Sequence, residues 1–71
     1  MSREELIARK EAIRAELART LRTLERTRGE AEAASGLRRR YLQRRVAQLE
    51  TRADALMSEE HQVRQLIDQV R

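Results

Sequence analysis

No cysteine occurs among the 71 residues, which excludes a disulfide framework and any thiolate metal site. Proline is absent too, and Gly29 and Gly36 are the only glycines, so a long helix meets just two candidate interruptions. Phe and Trp are missing and Tyr41 is the sole aromatic; ten of the hydrophobic residues are alanine, which leaves little bulk for a core. Below roughly 70–80 residues a single core rarely supplies more than ~3–5 kcal/mol. The chain is therefore expected to draw stability from a homo-oligomer or from another helical protein. No apolar run approaches the ~18 residues of a membrane span. The opening Met-Ser-Arg-Glu-Glu also lacks the apolar segment of a secretory signal, so the expected setting is cytoplasmic, with no membrane contact.

What the sequence does have is a seven-residue repeat. Leu42, Leu49, Leu56, Val63 and Val70 alternate with Val46, Ala53, Glu60 and Ile67 at steps of four and three, which draws a stripe down one side of a helix. Such a seam needs another helix to cover it. Leu6, Ile13, Leu17, Leu24 and Ala31 provide a narrower one in the first half, with Lys10, Thr20 and Thr27 on rungs where Leu would fit. The fold class that follows is all-α: a two-helix antiparallel coiled-coil hairpin, expected to assemble into a helical bundle.

Ser2 and Glu5 have the spacing of a capping box, with Met1 and Leu6 at the staple positions, so helix 1 is expected to start at Arg3. Gly29 could terminate it. However, residues 30–34 are good helix formers, and an interior Gly costs only ~1 kcal/mol. The tip is therefore placed at Ser35-Gly36, giving helix 1 over about 3–34, a turn at 35–36 and helix 2 over about 37–71. This alignment puts Lys10 and Glu60, opposite charges on two seam rungs, into one layer, as a register-fixing polar contact would require.

The basic excess is peculiar in type: 15 Arg against one Lys, with a net charge of +4. Coding bias accounts for such a skew as readily as guanidinium chemistry does. Residues 1–24 carry a net positive charge and residues 49–71 a net negative one, so folding at the tip lays complementary arms together. The remaining excess falls in residues 25–48. There Arg38, Arg39, Arg40, Arg44 and Arg45 crowd the start of helix 2, where a helix dipole disfavours cations by a few tenths of a kcal/mol each. They form a candidate anion-binding set, for nucleic-acid phosphate or an acidic protein surface. Against this, Arg is a good helix former, and Glu25, Glu30 and Glu32 on the neighbouring helix can neutralise part of the charge. The five also point around the helix: Arg40 and Arg44 face outward, while Arg38 and Arg45 flank the seam.

Chemistry is otherwise scarce. His61 is the only histidine, and Glu59 and Glu60 beside it are a poor ligand set, so no metal site is expected. No nucleophile–base arrangement, phosphate loop or paired carboxylates occur, so neither catalysis nor a cofactor is expected. Ile7, Leu21, Met57 and Leu66 lie off the seam and are the candidate partner-binding residues.

In length and periodicity the chain broadly resembles Rop, a short hairpin that dimerises into a four-helix bundle. The Ala33-Ala34-Ser35-Gly36 turn followed by a basic helix resembles the helical-hairpin protein of the large ribosomal subunit, although lysine is scarce here. Leu37 and Tyr41 just after the turn are similar to small co-chaperones of type III secretion needle subunits, without the proline usual in their turn. None of these likenesses carries a specific motif, and the chain is assigned to no family. The expected function is non-enzymatic protein–protein interaction, as adaptor, scaffold or small chaperone. The alternative is a nucleic-acid-binding hairpin that uses the Arg38–Arg45 cluster.

Overall fold

A computed structural model describes residues 1–70; Arg71, the last residue of the expected second helix, lies outside the described residues. Two helices account for nearly all of it, α1 (Arg3–Ala33) and α2 (Gly36–Gln69). They run antiparallel, because Arg9 near the start of α1 meets Glu59 late in α2, while Glu30 meets Arg38 beside the turn. The result is a rod of 55 × 14 × 13 Å. Its radius of gyration of 16.1 Å far exceeds the ~11 Å expected of a compact chain of this length. A rod two helices wide has a seam but no interior beyond it.

The start of α1 is closed by its capping residues. Ser2 accepts a hydrogen bond from the Glu5 N–H and its hydroxyl donates to the Glu5 carboxylate, both at 3.2 Å. Met1 does not complete the expected staple: it stays 69 % exposed while Leu6 is buried. Gly29 lies inside α1, so the chain turns later. Ala34 and Ser35 are extended, and Gly36 takes φ +63°, the left-handed conformation that side chains disfavour. The break thus falls on Ala34-Ser35, and α2 opens on Gly36. Its start is weakly closed, since Ser35 makes no side-chain cap and the first turn holds no acid.

With Leu6 at heptad position d and Lys10 at a, both helices keep phase throughout, and the buried residues are those rungs. Packing is uneven along the rod. At the open end Leu6, Ile13, Leu56, Val63 and Ile67 form the main cluster, with Leu17 and Val70 packed against it. Towards the tip the rungs of α1 shrink to Thr20, Leu24, Thr27 and Ala31. Thr27 is buried without an orphaned hydroxyl because it donates to the Thr23 carbonyl at 2.7 Å.

Lys10 and Glu60 do not form the expected contact. Glu60 instead accepts from Arg64, one turn along its own helix, and no Lys10–Glu60 ion pair occurs among the described residues. Helix spacing explains the preference: an i,i+4 partner is always within reach, whereas the lysine must cross the seam. The bond from Arg64 holds the Glu60 carboxyl below its ordinary range, against an opposing effect of desolvation. Arg14 and Lys10 add weaker attraction from a distance.

The two glycines should respond oppositely to alanine. At Gly29 a Cβ would meet nothing within 4 Å, so Gly29→Ala is expected to stabilise the hairpin by about 0.5–1 kcal/mol. At Gly36 space is equally open but φ is positive, so Gly36→Ala should cost about 1–2 kcal/mol. Thermal melts followed by circular dichroism compare the two. Equal responses would contradict a turn at this place.

Candidate functional site

Each heptad places one residue on either shoulder of the seam, at g and at e. In an antiparallel pair the g shoulders of both helices meet along one edge and the e shoulders along the other. The g edge here holds a ladder of cross-helix ion pairs. Arg9 donates to Glu59 at 3.0 Å, Arg52 donates to Glu16, and Arg38 approaches Glu30 at 3.8 Å. All three pairs share one offset between the helices. Being half exposed, each adds only ~0.2–1 kcal/mol, so the ladder selects alignment more than it stabilises. Across the e edge Arg28 meets Glu50 at 3.1 Å.

At the same offset a fourth g rung sets Thr23 against Arg45, and here no acid is present. An open groove of about 470 Å³ lies at this rung, with Arg19, Thr20, Thr23, Arg45, Gln48 and Leu49 among its lining. The groove lies where α1 carries the small side chains Thr20 and Thr23 and α2 contributes Leu49. The threonine hydroxyls are already committed, Thr20 to the Glu16 carbonyl at 2.9 Å and Thr23 to that of Arg19 at 3.1 Å. The guanidinium groups of Arg19 and Arg45 have no ion pair among the described residues.

The five arginines expected to bind an anion do not form one cluster. Arg38 pairs with Glu30, which Arg26 also approaches at 3.8 Å. Arg39 stands at an a position, at the thin end of the seam. Arg40 and Arg44 face outward, and Arg45 lines the groove. The same stretch of α2 carries Leu37 and Tyr41, 82 % and 65 % exposed. Sequence reasoning missed Arg19, Arg22 and Arg26 of α1, at c and f positions on the same side of the rod. Their signal was present in the heptad lettering, but only when both helices are read together in register.

The four apolar candidates also divide. Ile7, Leu21 and Met57 are e residues and lie along one edge, 38 %, 44 % and 46 % exposed. Leu66 is a g residue and belongs to the opposite edge. His61 is exposed, and no group of three or more His, Cys, Asp or Glu suited to a metal occurs among the described residues.

If the groove is unfilled core space, Thr20→Leu should fill it against Leu49. Burying part of a leucine there is expected to stabilise the hairpin by about 1 kcal/mol, or about 4–8 °C in melting temperature for a domain of this size. A lower melting temperature would show that the layer has no room. Compared with protein-family models, curated proteins and solved structures, the chain matches none of them.

Proposed function

We propose that the chain is a non-enzymatic protein–protein interaction module, an adaptor, scaffold or small chaperone, that works in the cytoplasm by packing its e edge against further helices. The supporting observation is the alignment of Ile7, Leu21 and Met57 on one edge of a rod whose seam cannot cover them. From Ile7 to Leu21 this line runs about 21 Å along α1, the reach of a four-turn helix laid beside it. The thin tip half of the seam supports the same conclusion, because added helices contribute burial that two alone lack. A second copy of the chain is the simplest source of such helices; another helical protein is the other.

Light scattering after size exclusion at tens of micromolar tests self-association. It should give at least twice the 8.4 kDa chain mass, with a melting temperature that falls on dilution. Leu21→Glu with Met57→Glu should return the chain to a monomer. A sharply melting monomer indifferent to concentration would exclude the second copy. A heteromeric module would then require capture of a defined helical partner that the double variant fails to hold.

A further inference from the structure

We propose that the g edge and the outward surface beside it, from the middle of the rod to its tip, bind a single-stranded nucleic acid. This goes beyond helix packing and uses the opposite edge, so the two functions stand or fall separately. Charge around the rod is segregated. In the tip-proximal half this surface takes Arg19, Arg22 and Arg26 from α1 and Arg38, Arg44, Arg45 and Arg52 from α2, against only Glu16 and Glu30. Both acids are committed to cross-helix pairs, with Arg52 and Arg38. Acids such as Glu11, Glu25, Glu32 and Asp54 lie at b positions, on the e side of the rod.

Four arginines of this surface, Arg19, Arg22, Arg44 and Arg45, therefore have no ion pair among the described residues. Arg19 and Arg45 line the groove from opposite helices, and Arg22 and Arg44, at f positions, carry the charge on to the outer surface. They lie on both sides of the groove and span about 10 Å along the rod and around its outer face. An extended polyanion fits that distribution. The guanidinium group, with its planar fork of donors, suits phosphate oxygens better than an ammonium does.

Tyr41 decides between an acidic polypeptide and a nucleic acid, and between one strand and two. It is exposed at a c position on the g side, one turn before Arg44 and Arg45 and one turn after Leu37. An aromatic face amid arginines stacks an unpaired base, which a carboxylate chain does not offer and a duplex keeps inside its own stack. The broken rung completes the picture. The ladder elsewhere gives each g arginine an acid, yet Thr23 leaves Arg45 free at the rung where the groove opens.

Fluorescence anisotropy with a labelled oligo-uridine of about a dozen nucleotides tests the proposal, beside an oligo-thymidine and a blunt duplex. The full chain should bind the single strands, with log affinity falling against log salt at a slope of about −3 if four phosphates are neutralised. Arg19→Glu with Arg45→Glu should weaken binding about tenfold or more and flatten the slope by about 1.4. Arg3→Glu with Arg14→Glu, equal in net charge but off the surface, should cost clearly less. Thr23→Glu, which completes the ladder, should weaken binding while keeping helicity. Tyr41→Ala should cost about fivefold or more on single strands and nothing on the duplex. If the glutamate pair at 19 and 45 reduces helicity, Arg19→Gln with Arg45→Gln replaces it. No binding at about 50 mM salt would overturn the proposal. So would equal losses from the two charge-reversal pairs, which would reduce the effect to net charge. A duplex preference indifferent to Tyr41→Ala, or binding to polyglutamate in place of the oligonucleotides, would overturn it as well.

Discussion

Everything in this rod depends on covering two narrow apolar stripes with each other. Neither helix could hold its length alone in water, since isolated helices owe most of their stability in proteins to the packing of one face. The stripes meet only if the chain reverses at Ala34-Ser35, and the reversal relies on a glycine at φ +63°. Once the seam closes, every other position is assigned to an edge. Closure therefore creates the two surfaces on which function is proposed, without any residue of either surface contributing much to stability.

Charge refines what the seam establishes. Ion pairs at Arg9–Glu59, Glu16–Arg52 and Glu30–Arg38 repeat at one offset, whereas a slip by a heptad would set Arg9 against Arg52 in one direction, or Arg9 against Leu66 and Glu16 against Glu59 in the other, and keep only one pairing of opposite charges. Exposed pairs add little energy, but a repeated set discriminates well between alignments. The rung at Thr23 and Arg45 departs from that scheme, and the same stretch of α1 exchanges leucine for Thr20 and Thr27 on the seam. Seam packing thins between the middle of the rod and its tip, and cations accumulate there, one of them, Arg45, on the g rung that lacks an acid. No acid stands in the first turn of α2, where the helix dipole would favour one.

The heptad of α2, the Ser2–Glu5 cap and the helix-forming run after Gly29 made the hairpin legible in the sequence, because each depends on residues close together in the chain. The Lys10–Glu60 contact misled because two seam charges in the right part of the chain need not meet: Arg64, one turn away on the same helix, holds the carboxylate. Met1 stands where a staple should and remains exposed, since spacing alone does not provide apolar surface to rest on. The surface sites were legible only in part. Ile7, Leu21, Met57 and Leu66 were recognisable as off the seam, but the shoulder on which each falls depends on the phase and direction of both helices. The basic surface needed still more, as Arg19, Arg22 and Arg26 join Arg44 and Arg45 only across the closed seam.

The most direct test of this account measures the closure itself. The chain has no cysteine, so single cysteines at Ala12 and Ala55 can carry nitroxide labels without competition. With helix axes 8–10 Å apart, the hairpin predicts a label separation of about 15–25 Å that persists when labelled chains are diluted into unlabelled ones. A separation near 65 Å, the length of a helix continued straight through residues 12–55, would contradict it. So would a short distance that disappears on dilution, because the seam would then be covered by a different chain.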